Sequence, residues 1–312
     1  MRLATVDSTM ETLDSEPSSP STTIDSKPQI SSPFPSSMLR LWRQAAQRNL
    51  RNQWPQLALL KDQWFSISST SRSYASALVN AHLSQRYIPD MKLGVLSNMS
   101  DIRKRASFKL FKQQKLQRSQ LLLSYKDMVG VVSKMINVSR SMKCFFRRSN
   151  NSSLLQFSHY YKDQSDSGDS GDGGGIPVFA FLSISSHEKL VEELVQMFRL
   201  ELCLKRLLVL EFMFIGDDAS QVNQLHWSSQ IYVDEFKDLS DCNLFCEVTH
   251  GPVPPRLREG KSDMGTLRFD SQPNPEVLQV YLTSWLAGMN INTSRVNEIF
   301  EVVGEEMHIS IG

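Results

Sequence analysis

The chain has 312 residues, of which 40% are apolar, 34 are Lys or Arg, and 33 are Asp or Glu. That is enough apolar material for one large core or two small ones, and a net charge of +1 names no partner by itself. Four cysteines are too few for a disulfide scaffold, the N-terminal residues lack a secretory or transit pattern, and no apolar run reaches the ~20 residues that span a membrane. A nuclear or cytoplasmic protein is expected, so the sequons at Asn137, Asn151 and Asn292 should be idle.

Residues 1–37 are dominated by Ser, Thr and Pro and cannot bury enough apolar surface to offset their ordering entropy, which predicts a disordered tail. Ser19 and Ser32 each precede proline and fit proline-directed kinases. From Leu57 the apolar positions Leu60, Trp64, Ile67, Tyr74, Leu78 and Ala81 follow steps of three and four, with Ser71 in the one polar slot. This spacing predicts a helix that packs on another helix. Pro55 suits its first turn, and Ile88-Pro89-Asp90 predicts a break.

A second long helix is expected from Asp101 to Lys143, with Leu122, Tyr125, Val129, Val132 and Ile136 repeating the spacing and Gly130 weakening it by ~1 kcal/mol. The two predict an antiparallel, coiled-coil-like hairpin over 38–148. Residues 101–148 hold thirteen Lys and Arg against two Asp, a net charge of about +11 that attracts phosphate or acidic partners. The basic patch is Arg103, Lys104, Arg105, Lys109, Lys112 and Lys115. It fits a solvated helix face, a nuclear-import signal, or a nucleic-acid contact. Ser107 follows basic residues and is a third phosphorylation candidate.

Gly, Ser and Asp crowd residues 149–176 and predict a flexible acidic linker that includes Gly173-Gly174-Gly175. Then Ser185 or Ser186 should cap a third helix running through Leu190 to Glu211. Its apolar residues cover more than one face, which predicts a central, buried helix. Residues 216–272 are rich in turns and proline and read as an irregular insertion. Two short helices should close the chain, at about Pro275 to Gly288 and Thr293 to Met307, the last capped by Asn292, Thr293 or Ser294. The expected fold class is therefore all-α: a long hairpin packed with C-terminal helices.

No phosphate loop, nucleophile elbow or zinc-protease motif is present, so neither an active site nor a cofactor is expected. Cys242, Cys246 and His250 are spaced by four and would need His226 or His308 to complete a zinc site; free thiols are the simpler reading.

Met197-Phe-Arg-Leu-Glu-Leu-Cys-Leu-Lys-Arg206 is similar to the most characteristic stretch of the cyclin-dependent kinase 2-interacting protein family. Pro177-Val-Phe179 before it, Tyr281-Leu-Thr-Ser-Trp-Leu286, Ser294-Arg295 and Glu305 to His308 resemble that family in the same order. About 65 residues are covered well and about another hundred weakly. The chain departs from the family in its tryptophan spacing, its Ser/Pro tail and the insertion at 216–272.

The resemblance implies a non-enzymatic adaptor in DNA replication, the DNA damage response and the cell cycle, sited in the nucleus. The partners it implies are a cyclin-dependent kinase, the origin-firing kinase, the ATR-interacting protein and an AAA+ ATPase, the last acting in pre-60S ribosome biogenesis. Phe198, Leu202 and Leu204 should be core, with Trp285 and Leu286 packed on their helix. Arg199, Glu201, Lys205, Arg206, Tyr281 and Trp285 are the partner-binding candidates, although Glu201 and Lys205 are also spaced for an intrahelical ion pair.

Overall fold

The computed structural model describes residues 36–147, 156–158, 170–215, 226–256 and 273–311. The Ser/Pro tail with Ser19 and Ser32, most of the linker, and both edges of the insertion lie outside the described residues.

The fold is all-α. Helix α1 spans Ser36–Tyr87 and α2 spans Ile102–Arg140. They form the expected hairpin, turned at residues 88–101 through a 3₁₀ segment, Gly94–Asn98. Trp42, Ala46, Leu50, Trp54, Leu57 and Trp64 lie along the buried stripe of α1. Leu121, Tyr125, Met128, Val132 and Met135 form the matching stripe of α2. The three-and-four spacing holds each stripe on one side, so α1 and α2 pack seam to seam.

Pro55 is not in a first turn. It lies well inside α1, which starts at Ser36. An internal proline removes a helix hydrogen bond and costs ~3 kcal/mol. The full burial of Trp54 and Leu57 on either side of it offsets that cost.

Asn49 closes the other end of the hairpin. Its amide donates to the carbonyls of Ser141 and Met142, at 2.7 and 3.1 Å, where α2 has run out of intrahelical partners. Trp42 Nε1 donates to the Cys144 carbonyl at 2.9 Å. Short strands β1 (Phe145–Arg147) and β2 (Gln156–Ser158) pair antiparallel beyond it.

Gly173, Gly174 and Gly175 of the expected linker form a single 3₁₀ turn. Gly173 has φ +67° and is buried, and a Cβ there would lie within 2.5 Å of the Trp42 ring. Only glycine permits both that backbone conformation and that approach.

Helix α3, Ile184–Phe214, is central as its apolar pattern predicts, with buried residues from Val191 to Phe212 on several sides. Its cap is Ser183, not Ser185 or Ser186: the Ser183 hydroxyl accepts from the Ser186 N–H at 3.2 Å.

Part of the expected irregular insertion is folded. Residues 226–256 include helix α4, Glu235–Asp241, and a two-residue ladder of β3, Phe245–Cys246, with β4, Gly251–Pro252. Helices α5, Pro275–Ala287, and α6, Thr293–Met307, complete the chain, capped by Asn274 and Asn292. Among the described residues no helix is long and apolar enough to cross a membrane.

Candidate functional site

The helical segments singled out in the sequence do come together. Lys205 of α3 donates to the Trp285 carbonyl of α5 at 2.5 Å, and its ammonium sits 4.7 Å from the centre of the Trp285 ring. Phe212 packs on both Tyr281 and Trp285, with ring centres 6.2 Å apart in each case.

Three of the four charged candidates among these residues face inward, however. Glu201, Lys205 and Arg206 are at most 1% exposed, as is Trp285. A closed interior position takes them off the surface on which the sequence reading placed them. The physical reason is the one that made α3 central: apolar residues cover more than one of its faces, and the charged residues that fall among them must be paired inside.

Two ionic clusters do the pairing. In the first, Glu201 Oε1 and Lys205 Nζ lie 2.9 Å apart, and Glu201 Oε2 accepts from the Asn290 N–H at 3.0 Å. Burial lowers the Lys205 pKa, and the Glu201 carboxylate opposes that shift. The cluster ties α3 to the α5–α6 turn.

In the second, Arg206 grips Glu235 with two nitrogens, at 2.9 and 3.1 Å. Its remaining donors reach the carbonyls of Trp227 and Ser229, each at 2.7 Å. Glu235 also accepts from the Tyr125 hydroxyl at 2.9 Å and from the Ile231 N–H at 2.7 Å. Burial, reinforced by the Glu235 carboxylate, holds the Tyr125 phenol protonated, its pKa well above the ordinary value. This bidentate pair fastens 226–241 to both α2 and α3.

Arg199 and Tyr281 are half-buried. Arg199 donates to the carbonyls of Cys242 and Asn243, at 3.0 and 2.7 Å, closing the end of α4. Burial and the Glu211 carboxylate push the Tyr281 phenol up to about 12. Phe198 and Leu202 are core, Leu204 is partly buried, and Leu286 is 56% exposed instead of packing on α3.

Sequence reasoning missed three further residues. Glu306 of α6 lies 7% exposed and accepts from the N–H groups of Ala180, Phe181 and Leu182, at 2.9, 2.7 and 2.7 Å. It locks the lead-in to α3 against the C-terminal helix. It stands in the closing stretch, Glu305 to His308, that was singled out in the sequence. Glu235 had no signal: it sits in an aperiodic stretch 29 positions from Arg206. His187 is fully buried and accepts at Nδ1 from Trp54 Nε1 at 3.2 Å, and burial drives its pKa down to about 4.

The basic patch is the reverse case. Arg103, Lys104, Arg105, Lys109, Lys112 and Lys115 are all exposed along the first half of α2. Ser107 is partly shielded on the same helix. Apolar side chains share that surface: Phe108 and Phe111 are 59% and 42% exposed, and Val95 in the turn is 93% exposed. Lys112 lies over the Phe108 ring at 4.5 Å. This end of the hairpin, basic and apolar at once, is the candidate interaction surface.

Cys242 caps α4 and is buried, while Cys246 stands in β3, so they do not share a helical face. No group of three or more His, Cys, Asp or Glu among the described residues could hold a metal. The fold and surface thus define a helical-hairpin protein with a basic, partly apolar hairpin end. No family model matches the chain, and no curated protein matches it.

Proposed function

We propose that this chain is a non-enzymatic helical adaptor that binds protein partners and serves DNA replication, genome maintenance and cell-cycle control. The observation that carries this reading is the exposed basic and apolar surface at the free end of the α1–α2 hairpin. An exposed apolar surface rimmed by charged side chains is a feature of interaction sites more than of solvated helices. The ordered resemblance of 177–179, 197–206, 281–286, 294–295 and 305–308 to the cyclin-dependent kinase 2-interacting protein family supplies the cellular setting. On that basis the partners are a cyclin-dependent kinase, the origin-firing kinase, the ATR-interacting protein or an AAA+ ATPase, and the compartment is the nucleus.

Affinity purification of the full chain from dividing cells tests this, with replication kinases or an AAA+ ATPase expected in the eluate. Recovery of neither, with the protein intact and folded, contradicts it. If the AAA+ ATPase is the partner, depletion of the chain should slow pre-60S maturation before replication falters.

A second reading, direct nucleic-acid contact, draws on the exposed Arg and Lys side chains from 103 to 115. It requires an affinity that falls steeply with salt, in proportion to the phosphates neutralised.

A further inference from the structure

Helix α2 carries two seams. The first faces α1 and the core, through Leu121, Tyr125, Met128 and Val132. The second faces solvent. Phe108, Lys112, Leu116, Ser119 and Leu123 follow one another at steps of four, four, three and four, and all five are exposed. Phe108, Leu116 and Leu123 are each more than half exposed, at 59%, 55% and 56%. Steps of three and four keep side chains on one side of a helix, where they present holes to the knobs of another helix. At 1.5 Å per residue the stripe from Phe108 to Leu123 is ~22 Å long, the span of about four helical turns.

The charge beside the stripe has one sign. Residues 102–126 contain no Asp or Glu, while Arg105, Lys109 and Lys115 flank the stripe and Lys112 stands in it, all exposed. We infer that this outer seam of α2 docks an acidic amphipathic α-helix of a partner protein, apolar residues on Phe108, Leu116 and Leu123 and carboxylates on the flanking lysines.

Other occupants fit less well. A second copy of this chain would set lysines against lysines across a shared seam. A nucleic-acid strand would use the cations but would gain neither stacking nor hydrogen bonds from Leu116 and Leu123. A bilayer would meet the hairpin at its apex, around Val95, and leave the leucines far down the flank unused. A helix lying along α2 takes the whole stripe and the charge together.

The inference rests on the adaptor reading and adds to it the surface and the chemistry of the partner. It is tested by placing a photoreactive benzoylphenylalanine at position 116 of the full chain in dividing cells, irradiating, and sequencing the cross-linked segment. Leu123 provides a second position in case the first disturbs folding, and helix content by circular dichroism reports on both.

The expected adduct is on a partner segment with net negative charge and apolar residues at steps of three and four. Its yield should fall at least tenfold when Lys109, Lys112 and Lys115 are replaced by Glu. Adducts to nucleic acid, to lipid or to this chain's own peptides overturn the inference, as do adducts that survive the triple replacement. No adduct at either position, with partners still recovered by affinity purification, places docking elsewhere and leaves the adaptor reading standing. Loss of those partners as well would remove both.

Discussion

The two ends of the α1–α2 hairpin differ in almost everything but their secondary structure. From Trp42 to Ala81 and from Gln114 to Val138 the helices bury a stripe of large side chains against each other and against the C-terminal helices. Between His82 and Gln113 no residue is buried. The same three-and-four pattern therefore serves two purposes. At one end it makes a core; at the other it carries two helices and a turn out beyond that core, where only their mutual contact and their helix propensity sustain them.

The polar chemistry follows the same division. At the packed end the charges are inside and matched: Arg206 with Glu235, Lys205 with Glu201, Glu306 with three backbone N–H groups. Along α2 from Ile102 to Lys126 they are outside and of one sign. Substitutions should thus unfold the protein at one end and disconnect it from partners at the other.

The largest effect is expected at Glu235. Replacing it with Ala leaves the Arg206 guanidinium buried without its carboxylate, at a cost of about 3–5 kcal/mol. Urea unfolding should show the loss as a lower midpoint, and a midpoint near that of the wild type would deny the pair its role.

Lys205→Ala strands Glu201 in the same way, by about 3 kcal/mol. Here the double variant sharpens the point. Glu201→Leu with Lys205→Met should be less destabilised than Lys205→Ala, because no charge is left buried alone, while the Asn290 N–H and the Trp285 carbonyl that the pair had satisfied keep it below the wild type.

His187 gives a pH signature of somewhat smaller size. Its folded pKa lies near 4 while the unfolded residue titrates near 6.5, so the unfolded state binds the proton first. Stability is complete above pH 6.5 and declines as pH falls towards 4, by at most about 3 kcal/mol. In His187→Gln the decline over that window should be shallower, read by thermal melting at steps of pH. An unchanged slope would mean that the imidazole does not govern it.

The smallest effect on folding is expected at the free end. Lys109→Glu, Lys112→Glu and Lys115→Glu should each shift stability by no more than about 0.5 kcal/mol, since none of the three is buried.

The hairpin, its break at Ile88-Pro89 and the Asn292 cap were legible in the sequence because they depend on local spacing and local hydrogen bonding. The Ser183 cap was missed by two to three residues because the first apolar residue of α3, Ile184, sits outside the strongly periodic run. Pro55 misled for the opposite reason: a local rule for helix starts was overruled by the burial of Trp54 and Leu57.

The burial of Glu201, Lys205 and Arg206 follows from a conflict that the sequence itself contained. A helix expected to be central was given surface roles for Glu201, Lys205 and Arg206, which its own apolar surroundings exclude. Glu235 was not legible at all, since its partner, Tyr125 and Ile231 meet only through tertiary folding. Lys205 links α3 to Trp285 of α5, and Glu306 links α6 to the lead-in to α3. These links maintain the scaffold, and the basic face of α2 lies outside those helices.

The most direct test of the account sets folding against binding in one protein. The full chain and its Lys109→Glu, Lys112→Glu, Lys115→Glu variant would be purified side by side from dividing cells, with melting temperatures measured on both and co-purifying proteins quantified by mass spectrometry. The account predicts matching melting curves and at least a tenfold loss of the partners from the variant. The same partners at the same abundance on both would contradict it.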